Sequence, residues 1–92
     1  MSVIIVGRFK VADVAKAIES FGPNAALLKE IAEDAKGMGA IHHRFVAGDG
    51  ELLIVDEWGS PDQFEKFFAG NPKVEKVSAA AGLVGAPAIS VY

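Results

Sequence analysis

Residues 3–9, VIIVGRF, are short and rich in β-branched side chains, which predicts a buried strand; Gly7 inside it suggests a bulge or a close backbone approach. Asp13 is placed to cap a helix whose apolar face is Val14, Ala17, Ile18 and Phe21. FGPN then interrupts, because Gly22 ends a helix readily and Pro23 cannot continue one. Asn24 is the expected cap of a second piece with Leu27, Leu28, Ile31, Ala32 and Ala35 on one side, stopped by Gly37 and Gly39. Strands are expected over 40–47 and 51–58, joined through Asp49-Gly50, a hairpin pair suited to a type I′ turn. Ser60 caps the next helix, with Pro61 in its first position and Gln63 completing a capping box. Phe64, Phe67 and Phe68 share one face of it. Asn71-Pro72 repeats the start signal for a helix ending at Gly82, and AISVY forms a last strand.

The order strand, helix, strand, strand, helix, strand predicts an α+β, ferredoxin-like βαββαβ domain over 1–92, with an antiparallel sheet and its helices on one face. A bare second face should alternate with polar residues. Here Val3, Ile5 and Phe9 oppose Ile4 and Val6, and Leu52 and Ile54 oppose Leu53 and Val55. Strands apolar on both sides want cover on both sides, and the chain has no third layer. A second copy packed sheet to sheet, a homodimer, is the economical cover.

Composition narrows the class. The 92 residues are 51% hydrophobic and 23% charged, with net charge -3 and no cysteine. That is a globular chain without a disulfide or thiolate-metal framework. Its scattered Lys and Arg argue against a nucleic-acid partner. MSVIIVGRFK lacks a basic leader and a cleavage site, and no apolar run approaches the roughly 20 residues of a membrane span. The expectation is a soluble, cytoplasmic protein.

The chemistry-bearing residues concentrate in the hairpin. A two-residue loop at Asp49-Gly50 pairs Phe45 with Ile54, His43 with Asp56 and Ile41 with Trp58 on one face; His42 meets Glu57 and Arg44 meets Val55 on the other. A four-residue loop keeps these faces, whereas a three-residue loop with a bulge swaps them and pairs His42 with Asp56. On the first reading His43 and Asp56 lie under the helices near the phenylalanine stripe. A carboxylate beside an imidazole fixes its tautomer, so the pair could serve as an acid/base couple in an aromatic-lined cleft. A satisfied polar pair is the structural alternative. His42, Arg44 and Glu57 would line the dimer interior as an ion-pair network. Adjacent histidines in a strand point apart and no third ligand is evident, so no metal is expected.

The segment VDEWGSPDQFEKFFAGNPKVEKV resembles the second half of the antibiotic biosynthesis monooxygenase-like group of dimeric α+β barrel proteins. The resemblance implies a homodimer with a cleft between sheet and helices in each protomer. Some members oxidise polycyclic aromatics without a bound cofactor, and others bind and degrade haem. Trp58 matches the aromatic of the pattern. The histidine that active members carry on the next helix falls at Phe67 or Phe68, and VIIVGRF lacks the asparagine of haem-degrading members, so no cofactor is expected. Two functions follow. One is a cofactor-free, monooxygenase-like or isomerase-like enzyme that oxidises or rearranges a small apolar molecule held by Phe45, Trp58, Phe64, Phe67 and Phe68, with His43 and Asp56 moving a proton. The other is a non-catalytic barrel that binds a small hydrophobic ligand or is purely structural. A cavity of roughly 300 Å³ or more beside His43 favours the first.

Overall fold

The computed structural model describes residues 2–92. Four strands, β1 (Val3–Lys10), β2 (Ala40–Ala47), β3 (Glu51–Trp58) and β4 (Ala88–Val91), form one sheet in the order β2-β3-β1-β4. Every neighbouring pair is antiparallel. Helices α1 (Val14–Phe21) and α2 (Ala25–Met38) link β1 to β2, and α3 (Pro61–Phe68) and α4 (Pro72–Ala81) link β3 to β4. This is the expected α+β, ferredoxin-like arrangement.

The helices cover one face of the sheet. Strand β3 alternates without exception, with Leu52, Ile54, Asp56 and Trp58 buried and the residues between them only half-buried. Ile5 and Phe9 of β1 point the same way and meet Ala17, Ala35, Phe64, Phe67 and Ala81. Gly7, opposite Ile54, lets the sheet pack tightly there: a Cβ on it would come within 2.7 Å of Ile54 Cγ1. The other face carries Ile4, Val6, Leu53, Val55 and Val46, of which Ile4 and Val46 are exposed.

Local signals explain the element ends. Asp13 accepts a hydrogen bond from Lys16 N at 3.1 Å, Ser60 Oγ accepts one from Gln63 N at 3.3 Å, and Asn71 accepts from both Lys73 N and Val74 N. Each satisfies an amide that the first helical turn leaves without a partner. Other expectations need correction. Gln63 does not return a bond to Ser60; its amide lies against Gly39 and Gly59, where the small backbone admits it. Asn24 sits at the start of α2, but its side chain donates backward to Ser20 O at 2.9 Å and so tightens the kink instead of capping. Gly37 is inside α2, which stops at Gly39. In the hairpin only Gly50 has positive φ, 70°, so the turn is not type I′. The Gly48 amide still bonds to Glu51 O at 2.8 Å, which preserves a two-residue loop and its parity.

Candidate functional site

The hairpin register runs Ala47↔Leu52, Phe45↔Ile54 and His43↔Asp56, with His42 opposite Glu57 and Arg44 opposite Val55. The expected pairing of Ile41 with Trp58 is not formed. A bulge at Ile41 sets the smaller Ala40 opposite Trp58, and Ile41 is left 50% exposed. A bulge inserts one extra residue and so changes the register only beyond itself. The His43–Asp56 row lies on the turn side of it and is undisturbed.

Three side chains form a hydrogen-bonded series on the covered face. His43 Nδ1 lies 2.5 Å from Asp56 Oδ1, and Trp58 Nε1 donates to Asp56 Oδ2 at 3.2 Å. An indole N–H can only donate, and a carboxylate can only accept. Asp56 therefore receives one donor on each oxygen, which places the His43 proton on Nδ1 and leaves Nε2 as the acceptor of the neutral ring. Asp56 is 4% exposed. Burial of a carboxyl is tolerable only with such partners. The His43 side chain is 31% exposed, and its Nε2 has no hydrogen bond among the described residues.

Next to this series is an apolar cavity of about 90 Å³ between sheet and helices. His43, Asp56, Phe45, Phe64, Phe67 and Phe68 all line it. Phe45 packs edge-on against His43 at a centroid distance of 4.7 Å and lies 5.7 Å from Phe21. Phe64 and Phe68 stack at 5.3 Å. Phe45 is still 48% exposed, because β2 is an edge strand that the helices cover incompletely.

Trp58 is not on the cavity wall, contrary to the expectation that it would touch a ligand. It is fully buried, with Phe64 at 5.6 Å and Phe67 at 5.3 Å. At the far end of β3, beside Ala40, it fills the core beneath α3 and holds Asp56. His42, Arg44 and Glu57 lie together on the open face. They form no ion pair with one another in the chain; Glu57 instead accepts a hydrogen bond from Ser2. Phe9, Phe21, Val74 and Ser78 also line the cavity and were not picked out beforehand. Val74 and Ser78 share a helix face by their spacing of four, a legible signal that the small polar Ser78 obscured. Among the described residues no group of three or more His, Cys, Asp or Glu side chains could hold a metal ion, and no helix is long and apolar enough to cross a membrane.

No protein-family model matches the chain, and no curated protein does. Its architecture is nevertheless similar to that of several solved proteins. A monooxygenase from the gene ActVA-Orf6 of Streptomyces coelicolor, solved in complex with nanaomycin D, gives a TM-score of 0.70 at 18% identity, over 99% of this chain and 85% of that one. SnoaB, a cofactor-independent oxygenase from Streptomyces nogalater, gives 0.61 at 19% identity over 99% and 90%. A conserved protein from Methanosarcina mazei Go1 gives 0.68 at 15% identity over 100% and 91%. At these identities the likeness is one of fold.

Proposed function

We propose that the cavity holds a small, flat, apolar molecule and that His43, steadied by Asp56, moves a proton on it in a cofactor-independent, monooxygenase-like reaction. The observation that carries this reading is the Trp58–Asp56–His43 series ending at the wall of a cavity lined almost wholly by apolar side chains. Two of the fold neighbours named above, both oxygenases, lend support. His43 Nε2 would take the proton of a phenolic hydroxyl, leaving an electron-rich ring open to dioxygen. Replacing a ring C–H para to that hydroxyl by C=O consumes one phenol and one dioxygen and yields one quinone and one water. The substrate supplies all the electrons, so no outside reductant is needed. Phe45, Phe64, Phe67 and Phe68 would hold the ring faces. Oxygen uptake with 1-naphthol tests this: the protein should form 1,4-naphthoquinone, and His43→Ala should lose on the order of 100-fold in rate. Absence of uptake above the blank with 1-naphthol and its isomers would remove the oxygenase reading.

The cavity volume favours a second reading. About 90 Å³ falls well short of the roughly 300 Å³ at the lower end of ligand pockets. A non-catalytic barrel that binds a small hydrophobic ligand fits that size, as does a structural role. Binding of 1-naphthol without turnover would favour it.

We also infer a homodimer formed sheet to sheet through Ile4, Val6, Leu53, Val55 and Val46, with His42, Arg44 and Glu57 inside the joint. The chain exposes 5668 Å², about a tenth more than the roughly 5,100 Å² usual for a compact monomer of this mass. Residues 1–92 are read as one cytoplasmic domain, in keeping with the absence of cysteine.

A further inference from the structure

The cavity has a third polar residue. Of the side chains lining it, only His43, Asp56 and Ser78 carry hydrogen-bonding groups. Each oxygen of Asp56 already accepts one hydrogen bond, Oδ1 from His43 and Oδ2 from Trp58. The Ser78 side chain, on α4, makes no hydrogen bond among the described residues, and Ser78 is only half-buried. A second hollow of about 450 Å³ lies alongside, and Phe9, Phe68, Val74, Ser78 and Leu83 line both. Glu75 and Pro87 belong to the outer hollow alone. Ser78 therefore stands at the junction of a smaller, almost wholly apolar space and a larger, more open, more polar one.

The strand order separates the two polar ends. His43 is on β2, at one edge of the sheet, and lines the inner cavity only, whereas Ser78 and Phe9 of β1, two strands away, line the outer hollow as well. Two strand spacings are on the order of 10 Å. A single ring with one hydroxyl cannot reach both ends, and two fused rings bearing a hydroxyl at each end can.

We propose that Ser78 is the second polar anchor of this site and sets its specificity. Its ligands are two-ring aromatic molecules with a hydrogen-bonding group at each end, one meeting His43 Nε2 and the other the Ser78 hydroxyl. The far end emerges into the outer hollow. The small inner cavity then has a reason, because it houses only the first ring. This inference rests on the ligand-binding reading of the cavity, and Ser78 is a positioning residue in it.

Calorimetric titration with 2-naphthol and 2,6-dihydroxynaphthalene tests the proposal. The wild-type protein should bind the diol more tightly by roughly two- to tenfold, the value of one neutral hydrogen bond. Ser78→Ala should bring the diol down to the affinity of 2-naphthol, and Ser78→Thr, which keeps the hydroxyl, should retain the preference. His43→Ala should weaken both ligands. Equal affinity for the two naphthols, with binding that depends on His43 and ignores Ser78, would overturn the assignment of Ser78 and leave the cavity reading intact. If the wild-type protein bound neither compound, the cavity reading would fail and this inference with it.

Discussion

His42 and His43 are adjacent in the chain and stand in opposite surroundings. The His43 side chain is 31% exposed, bonded to a carboxylate and set in the wall of an apolar cavity. His42 is exposed on the open face, beside Arg44 and Glu57 and bonded to neither. The same contrast runs along the whole sheet. Its covered face spends one buried carboxylate to orient one imidazole and is otherwise apolar. Its open face mixes Ile4, Val6, Leu53 and Val55 with Arg8, Glu51 and Glu57. Composition alone does not separate the two faces; what does is the period-two alternation of strands, fixed by one tight turn. The hydrogen-bonded series and the cavity lie where the helices cover the sheet, and the face without helices sets exposed apolar side chains among charged ones.

Substitutions on the two faces should break stability on one and association on the other. The largest expected effect is Trp58→Ala, which empties a fully buried site and strips Asp56 Oδ2 of its donor. It should cost about 3–5 kcal/mol in denaturant unfolding, a large part of the roughly 5–10 kcal/mol that holds a domain of this size. Gly7→Ala comes next. The new methyl would meet Ile54 Cγ1 at 2.7 Å, with Phe9 Cε2 at 3.0 Å, and overpacking of this kind costs about 1–3 kcal/mol. Val55→Lys acts on the other face. It places a cation next to Arg44 at the middle of the open sheet, so the mass measured by light scattering should fall from dimer to monomer, while unfolding compared at a dilution where wild type is also monomeric should change by under about 1 kcal/mol. A loss of several kcal/mol there, with no change in mass, would erase the distinction between the faces.

The smallest effect is expected at Lys73, which reaches from α4 to Asp34 of α2 at 2.8 Å across the roof of the cavity. That hydrogen bond holds the ammonium above its ordinary value of 10.5. A raised value means that the contribution is fully present below 10.5 and disappears as pH climbs through the folded-state value. Exposed pairs contribute little. Lys73→Ala should therefore leave neutral-pH melting unchanged in physiological salt, with any difference from wild type shrinking further above pH 10.5.

Much of this was legible in the chain because local and long-range signals agreed. The caps at Asp13, Ser60 and Asn71, the apolar runs of the strands and the Asp49-Gly50 hairpin signal gave the element order. Asp49-Gly50 gave the parity that brings His43 to Asp56, even though the turn uses a different backbone type. The features that escaped depend on contacts distant in sequence. The bulge at Ile41 arises where β2 meets the bulky Trp58, and nothing in GAIHH announces it. Trp58 was expected at the cavity wall because its face was right; its depth is set by Phe64 and Phe67 packing over it. Gln63 carries the sequence of a capping box, but its side chain lies against Gly39 and Gly59 and makes no bond to the Ser60 amide. Cavity size is likewise a property of how α2 and α4 sit, which no spacing of residues encodes.

The central claim is that His43, and not His42, meets the ligand through Nε2. It is tested most directly by long-range ¹H–¹⁵N spectra of the two imidazoles during titration with 2-naphthol. The account predicts that His43 Nε2 shifts saturably, that its Nδ1 stays protonated toward Asp56, and that both nitrogens of His42 stay still. Saturable movement of His42, or binding that moves neither ring, would contradict it.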